Sequence, residues 1–295
     1  MNFGQVLTAM VTPFDQNGDI DYHAARTLIN HLIANGSDGL VVAGTTGESP
    51  TLTSNEKLDL FRFVAKVADG RATVIAGTGS NNTRASIDLT RQAEATGVDA
   101  IMLTTPYYNK PSQEGLYHHY KAIAQATSLP VMLYNVPGRS AVTIAPETII
   151  QLSEINNIVS VKEASGNLDA MTDIISKTSD DFTLYSGDDS LTLPVLAIGG
   201  NGIVSVSSHI IGGYLKEMVQ SYQNGNVQRA ALIHQDMLPT MKALFAQPSP
   251  SPVKAALNMI GIYVGDVRLP MVPLSIEEKK QLQQMLPPNK ITDAG

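Results

Sequence analysis

Short runs of β-branched and other apolar residues alternate along the chain with longer stretches in which apolar positions recur with a helical period. Eight of the short runs are predicted to be strands, and their starts lie roughly 20–35 residues apart, as expected of repeated strand–helix units. The predicted strands cover residues 5–11, 39–43, 73–76, 100–104, 130–134, 158–162, 182–185 and 202–206.

The intervening stretches have the features of amphipathic helices. Over residues 21–35, apolar side chains fall on one helical stripe, and Gly36 follows as a helix terminator. Thr53 has Glu56 three residues later, which is a capping-box pattern and predicts that a helix begins there. Residues 82–96 and 111–127 show the same periodicity.

Eight strand–helix units with strands that are apolar on both faces favour an α/β fold, a closed (β/α)8 TIM barrel over residues 1–224. A doubly wound open sheet is the alternative, but the first turn, TPFDQNG at 12–18, lacks the glycine pattern of a dinucleotide-binding fold. From residue 225 the strands cease. Helical stretches at 227–245 and 252–260 predict a C-terminal helical extension (225–295), packed on the barrel or on a neighbouring subunit, and residues 287–295 are expected to fray.

The composition narrows the function. The chain has 20 Lys and Arg against 27 Asp and Glu, which argues against a nucleic-acid partner. With no cysteine, it has no disulfide, thiolate nucleophile or cysteine-ligated metal. Its apolar runs are far shorter than the roughly 20 residues of a membrane helix, and its start resembles no signal peptide. We therefore expect a cytoplasmic protein with no membrane partner.

Lys162 ends the sixth predicted strand, where the mouth of a barrel would lie. By strand alternation it shares a face with Ser160, while Val159 and Val161 face the helices. Removing an ammonium group from water is costly, so burial favours the neutral amine that forms a Schiff base. The alternative is a lysine that extends into solvent or pairs with a carboxylate.

Polar residues also end the neighbouring fifth strand. Tyr134 would lie beside Lys162, since adjacent strands are about 4.8 Å apart, and a phenol there can transfer protons. The alternative for Tyr134 is an ordinary core tyrosine. Arg139 follows in a Pro-Gly turn, where its guanidinium could bind a carboxylate with two hydrogen bonds or simply be solvated.

Three further loops follow strand ends. The turn at 44–49 offers backbone N–H groups and hydroxyls to an anion, or its hydroxyls merely cap the next helix. Tyr107 and Tyr108 suggest an interface or lid, or simple loop packing. Asp188 and Asp189 could bind a metal, but we favour helix capping. None of the six histidines ends a predicted strand, so we expect no metal.

Taken together, these motifs closely resemble the dihydrodipicolinate synthase family, in order and spacing over nearly the whole chain. The motifs that carry the resemblance are GTTGES at 44–49, TPYYN at 105–109, YNVPGR at 134–139, VKEA at 161–164 and SGDD at 186–189. The resemblance implies a TIM-barrel lyase that forms a Schiff base with pyruvate in lysine and diaminopimelate biosynthesis, without a cofactor.

The resemblance also implies catalytic roles. Lys162 would form the imine with pyruvate, and Tyr134 would be the general acid and base. Thr45 and Tyr108 would complete its proton relay, Tyr108 reaching in from the adjacent subunit of a homotetramer.

Binding roles follow from the same resemblance. Thr46, Val204 and Gly187 would contact pyruvate, and Arg139 would bind the carboxylate of L-aspartate 4-semialdehyde. Related enzymes cleave N-acetylneuraminate or 2-keto-3-deoxy sugar acids with the same lysine and tyrosine, so another pyruvate-dependent aldolase is the first alternative. A non-catalytic barrel scaffold is the second.

The sequence departs from lysine-inhibited relatives at the effector site. Where those relatives have histidines and a glutamate, this chain has Ser54, Lys57 and Ala85, while Ser49, Asn81 and Tyr107 remain as remnants of the site. Losing a carboxylate and gaining a like charge disfavours an ammonium ligand. We expect weak or absent inhibition by lysine.

Overall fold

Eight parallel strands close into a barrel in the computed structural model, which describes residues 3–287. Each strand pairs with its neighbours in sequence, and the last pairs with the first. The strands are β1 (Val6–Ala9), β2 (Gly39–Val42), β3 (Thr73–Gly77), β4 (Ala100–Thr104), β5 (Val131–Asn135), β6 (Ile158–Glu163), β7 (Thr183–Ser186) and β8 (Gly202–Ser205). The predicted barrel is confirmed, and the open-sheet alternative is wrong.

Helices surround this barrel and continue beyond it. Short 3₁₀ turns cover Ser49–Thr51 and Asp189–Leu191. The helices are α1 (Tyr22–Ala34), α2 (Ser54–Ala68), α3 (Thr83–Glu94), α4 (Gln113–Ala124), α5 (Pro137–Ser140), α6 (Pro146–Ser153), α7 (Leu168–Lys177), α8 (Thr192–Ala197), α9 (Ser208–Gln223), α10 (Val227–Ala243), α11 (Ser251–Met259) and α12 (Ile276–Met285). No helix among the described residues is long and apolar enough to span a membrane.

Local sequence signals set the helix starts. Asp21 caps α1 by accepting from the backbone N–H groups of His23 and Ala24, both at 2.9 Å. The predicted capping box is present at α2, where Thr53 and Glu56 satisfy each other's backbone N–H groups. Side-chain acceptors of this kind supply partners for N–H groups that the helix itself leaves free.

The apolar core has two layers. The larger layer lies between strands and helices, and the smaller one fills the barrel interior. The interior layer consists of Phe3, Leu7, Ala9, Val41, Ile75, Ala100, Met102, Met132, Tyr134, Val136, Tyr185 and Val204. A barrel filled in this way is a packed core, so chemistry is confined to its mouth, at the C-terminal strand ends.

The C-terminal extension packs on the barrel of its own chain, mainly through α10 against α9. The predicted boundary at 224/225 falls between these two helices. Helix α12 was not predicted, because its sequence IEEKKQLQQM is largely polar and gives little apolar periodicity. The predicted fraying concerns residues 287–295, of which all but the first lie outside the described residues.

Candidate active site

Lys162 is buried at the end of β6, with 5% of its surface exposed. It is the register partner of Tyr134 on β5, and its Nζ lies 4.2 Å from the centroid of the Tyr134 ring. Within residues 3–287 its ammonium group forms no ion pair with a carboxylate. Neither alternative for this lysine, extension into solvent or pairing with an acid, therefore describes it.

Two tyrosines flank Lys162 in the barrel, and they differ in their hydrogen bonds. Tyr185, its partner on β7, donates its hydroxyl to the carbonyl of Gly4 at 2.8 Å, and burial raises its pKa to about 12. Tyr134 also lines the cavity above the strand ends. The geometry therefore leaves Tyr134, and not Tyr185, as the phenol placed for proton transfer.

A buried polar pair fixes the strands that carry Tyr134 and Lys162. Glu163 accepts a hydrogen bond from Asn135 Nδ2 at 2.8 Å, and Asn135 Oδ1 accepts from the backbone of Ile144 at 3.0 Å. Burial raises the pKa of Glu163 above its usual range. Because neighbouring residues on a strand face opposite sides, this pair anchors the outer face while the phenol and the amine meet inside.

A cavity of about 300 Å³ opens at the mouth of the barrel. Its lining includes six residues singled out in the sequence: Thr45, Ser49, Lys57, Tyr107, Tyr134 and Arg139. A wider groove of about 1020 Å³ runs between the loop after β1 and residues 261–269, but no predicted site residue lines it. We assign chemistry to the smaller cavity, since it is lined by Tyr134, whose ring packs against the buried Lys162.

Gly187 packs directly against Lys162. A Cβ added at this glycine would lie 3.1 Å from Lys162 Cε and 2.7 Å from the Cβ of Ala164. Val204 contributes to the barrel interior on β8, in the same layer as Tyr134. The structure thus places two of the three predicted pyruvate-contacting residues, Gly187 and Val204, within the packed surroundings of the lysine and tyrosine.

The GTTGES turn follows β2 and is closed by its own backbone. Glu48 donates its N–H to the carbonyl of Thr45 at 3.1 Å, and Ser49 donates to that of Gly44 at 3.2 Å. Thr46 is buried, whereas Thr45 is half-buried at the cavity. The turn is thus a compact unit, so displacing one end displaces the threonines.

The loop after β4 separates its two tyrosines. Asn81 donates to the carbonyl of Tyr107 at 3.1 Å, and Tyr107 lines the cavity. Tyr108 is 90% exposed, with a left-handed backbone of φ 71°, and is absent from the cavity lining. Within one chain, the structure does not bring Tyr108 to the site.

The two aspartates of the SGDD motif differ. Asp188 caps the 3₁₀ turn by accepting from Ser190, as predicted. The capping expected of Asp189 is wrong, because its carboxylate is buried and accepts from Ser205 Oγ and from the backbone of Val206 and Ser207. No group of three or more acidic or histidine side chains among the described residues could hold a metal ion.

Two buried residues that contact the GTTGES turn from within or beside it were not predicted from the sequence. Glu48 lies within the GTTGES motif but received no role, and Lys254 on α11 was not noticed at all. Their side chains form an ion pair of 2.8 Å that is 2% exposed on both sides. The available signal was a carboxylate inside a glycine-rich turn, but its partner lies far along the chain.

A buried lysine beside a tyrosine that lines a small cavity at the mouth of a (β/α)8 barrel is typical of Schiff-base-forming lyases. The match to the Dihydrodipicolinate synthetase family covers residues 2–288, and the chain belongs to that family.

Individual relatives agree. A 4-hydroxy-tetrahydrodipicolinate synthase of Bacillus subtilis is 59% identical over 97% of this chain and 99% of its own. A crystal structure of a Bacillus anthracis dihydrodipicolinate synthase is 58% identical, covers 97% of this chain and 98% of that one, and gives a TM-score of 0.95. A Cyanidioschyzon merolae structure with lysine bound is 48% identical over 96% and 97%, with a TM-score of 0.94.

These comparisons confirm the predicted family, fold and enzyme class: the chain is a lyase acting on small molecules. They support the synthase prediction rather than either alternative, the sugar-acid aldolase or the scaffold.

Proposed function

We propose that the chain condenses pyruvate with L-aspartate 4-semialdehyde, the reaction of the 4-hydroxy-tetrahydrodipicolinate synthases it resembles, as a cytoplasmic enzyme of lysine and diaminopimelate biosynthesis. The observation that carries the proposal is the contact between the Lys162 ammonium and the Tyr134 ring, 4.2 Å apart inside the barrel. A nucleophilic amine and a proton donor side by side are the minimum that imine chemistry needs.

The first half of the reaction forms the nucleophile. Lys162 Nζ attacks the ketone carbon of pyruvate, and the ketone oxygen leaves as water after protonation by Tyr134. The resulting iminium draws electrons from the methyl group, so that a methyl proton is lost and an enamine forms. Lysine itself supplies the electron sink, and the scheme requires no cofactor.

The second half forms the carbon–carbon bond. The enamine carbon attacks the aldehyde carbon of the semialdehyde, and the aldehyde oxygen takes up a proton. The amino group of the semialdehyde then attacks the imine carbon and displaces Lys162, which closes the ring and returns the free amine. Tyr134 serves each proton transfer, relayed through Thr45, which lines the same cavity.

Substrate binding falls to the polar edge of the cavity. Arg139 on α5 is exposed, and its guanidinium makes no hydrogen bond to another described residue, so it can bind the semialdehyde carboxylate. Thr46 and the backbone around Val204 and Gly187 are assigned to pyruvate. The absence of a cofactor and of a metal from this scheme is part of the proposal.

The proposed assembly is a homotetramer in which Tyr108 acts across a dimer interface. Its support is that Tyr108 is 90% exposed while held in the left-handed region at φ 71°. Tyrosine is enriched at protein–protein interfaces, and a strained backbone persists where its surroundings hold it. Sedimentation of the Tyr108→Phe and Tyr108→Ala variants, with activity measured at the same concentrations, tests this assignment.

The test of function is a substrate panel. The enzyme is supplied with pyruvate together with aspartate semialdehyde, N-acetylmannosamine or glyceraldehyde, and consumption of each aldehyde is measured. Borohydride is added in a parallel reaction, and a reduced pyruvyl adduct is sought on the peptide containing Lys162. The matched control is Lys162→Arg, which keeps the positive charge but forms no imine.

The expected result is consumption of aspartate semialdehyde and an adduct that Lys162→Arg abolishes. Preferential consumption of either other aldehyde, with the adduct intact, would contradict the synthase and support a sugar-acid aldolase. If no adduct forms at all, the imine mechanism fails and the scaffold alternative gains.

We further propose that lysine inhibits this enzyme weakly or not at all. Lys57 lines the cavity beside Ser49 and Tyr107, and burial lowers its pKa. Where Lys57 is protonated, it repels the ammonium of a lysine ligand, and Ser54 and Ala85 supply no carboxylate to hold that group. Strong inhibition by sub-millimolar lysine in a rate titration would contradict this; Lys57→Glu is the variant expected to gain sensitivity.

A further inference from the structure

The GTTGES turn is strained at both ends. Ala43, which precedes it, has φ 51°, and Glu48 within it has φ 57°, although neither residue is glycine. Left-handed backbone at such residues costs free energy and persists only where the surrounding structure holds it. Something outside the turn must therefore hold it in place.

The C-terminal extension supplies this support through Glu48. Its Oε1 lies 2.8 Å from Nζ of Lys254 on α11, and its Oε2 accepts from the backbone N–H of Arg268 at 2.8 Å. Both charged side chains of the pair are 2% exposed. Both oxygens of the Glu48 carboxylate therefore contact the extension, Oε1 through the ion pair and Oε2 through a hydrogen bond.

Lys254 is itself held from several sides. It donates to the carbonyl of Asp266 at 2.8 Å, and its ammonium lies 4.2 Å from the centroid of the Phe14 ring. Arg268 adds a second attachment, donating to the carbonyl of Thr51 at 2.8 Å, just beyond the turn. The turn is thus fastened at two points to one segment of the extension.

A displacement of Glu48 would also displace Thr45 and Thr46, because they belong to the same hydrogen-bonded turn. The N–H of Glu48 is bonded to the carbonyl of Thr45, and Thr12 donates its hydroxyl to the carbonyl of Gly47 at 2.7 Å. A Cβ at Gly47 would lie 3.0 Å from the carbonyl oxygen of Met10, so the turn has no space in which to shift toward β1.

We infer that the Glu48–Lys254 pair is a positioning device for the proposed reaction, by which the C-terminal extension holds Thr45 and Thr46 at the catalytic cavity. Neither residue of the pair lines that cavity. The inference rests on the proposed function, because that function is what requires Thr45 and Thr46 to be held at the cavity.

Energetics distinguishes positioning from mere stabilisation. Removing one member of a buried ion pair leaves an uncompensated charge and destabilises strongly, whereas removing both charges leaves no unpaired charge behind. A pair that only stabilises would let activity return together with stability in the double variant. A pair that positions the turn would not, because a displacement of about 1 Å can lower turnover about 100-fold.

The experiment compares Lys254→Met, Glu48→Gln and the double variant of the intact enzyme. Glutamine keeps an acceptor for the backbone of Arg268, but it removes the charge and puts an NH2 group where an oxygen faced Lys254. We expect Lys254→Met to lower Tm, the double variant to recover most of it, and kcat of the double variant to stay about 10- to 100-fold below wild type with KM for pyruvate changed less.

The matched control is the ion pair Asp38–Lys216, at 2.6 Å, which joins the opposite end of β2 to α9. Asp38→Asn/Lys216→Met is expected to alter Tm while leaving kcat within about twofold of wild type. If kcat of the Glu48→Gln/Lys254→Met variant returns to wild type with Tm, or if the control loses kcat equally, positioning is overturned.

Two additions keep the outcomes separate. Thr45→Val is assayed alongside. If Thr45→Val retains full kcat, the role proposed for Thr45 fails. If Thr45→Val loses kcat while the Glu48→Gln/Lys254→Met variant stays fully active, only the role of the Glu48–Lys254 pair is refuted. If Lys254→Met does not fold, Glu48→Asp replaces it. That variant keeps the charge but shortens the reach, and we expect it to lose kcat; unchanged kcat would refute the inference.

Discussion

Gly187→Ala adds one methyl group beside the amine assigned to imine formation. The new Cβ would lie 2.7 Å from the Cβ of Ala164, 3.1 Å from Lys162 Cε and 3.2 Å from the carbonyl oxygen of Glu163. Carbon atoms in contact prefer separations of about 3.5–4.0 Å. Gly187 has no positive φ, so the backbone accepts alanine and the perturbation is steric alone.

The size of the loss in kcat depends on which neighbouring group moves to make room for the new methyl group. Ala164 and the Glu163 carbonyl are fixed on or beside β6, so the flexible Lys162 side chain moves most. Overpacking of this kind costs about 1–3 kcal/mol of stability, and a displacement approaching 1 Å lowers turnover by about 100-fold. We therefore expect a folded enzyme with kcat reduced about 10- to 100-fold.

The assay couples initial rates with adduct trapping. Rates are measured with pyruvate and aspartate semialdehyde, the rate of pyruvyl-adduct formation is followed by mass spectrometry after borohydride, and Tm is recorded. The matched control is Gly213→Ala on α9, where an added Cβ meets nothing within 4 Å. That change favours the helix by up to about 1 kcal/mol, and activity should be unchanged.

If Gly187→Ala has wild-type turnover and wild-type adduct formation, the reasoning is refuted. The added methyl group must displace Lys162, and this result would show that the displacement does not affect the reaction. A fall in Tm that matches the loss of rate, with normal adduct formation, would equally contradict a local effect on the amine.

Three further outcomes are expected. Arg139→Ala should raise KM for aspartate semialdehyde by at least about tenfold, since one charged hydrogen-bonded pair is worth about 1.5–3 kcal/mol. KM for pyruvate should change little. Equal changes in both constants would contradict the assignment. Asp189→Ala should lower the free energy of urea unfolding by about 3 kcal/mol or more, because it leaves the buried donors on Ser205, Val206 and Ser207 without an acceptor; a loss below about 1 kcal/mol contradicts this. Arg268 lowers the pKa of Glu56 from 4.5 to about 2, so the stability from this pair is present above pH 4.5 and is lost as the pH falls toward 2. Because the pair is part-exposed, it contributes about 1–2 kcal/mol to the free energy of unfolding. Acid unfolding of Glu56→Gln should therefore show a shallower pH dependence than that of wild type.

Local features of this fold could be predicted because they depend on neighbouring residues. The sixth strand was predicted at 158–162 and runs Ile158–Glu163. The capping box at α2 follows from two side chains three residues apart. The meeting of Tyr134 and Lys162 follows from strand alternation together with the adjacency of consecutive strands in a barrel.

Features that depend on distant contacts escaped prediction. Asp189 has the local sequence of a helix cap, but the loop after β8 offers it backbone donors that no neighbouring residue reveals. Arg268 binds Glu48 across 220 residues of sequence. A carboxylate in a glycine-rich turn indicates that a partner exists, but only the folded chain shows which residue it is.

The attachment of the turn by residues 254–268 bears on the order in which the enzyme matures during synthesis. A ribosome that has completed β8 has already made every barrel strand, the amine and the phenol, yet the segment that fastens the hydroxyl-bearing turn is still to be translated. The nascent polypeptide therefore contains the amine and the phenol before it contains the residues inferred to position the threonines.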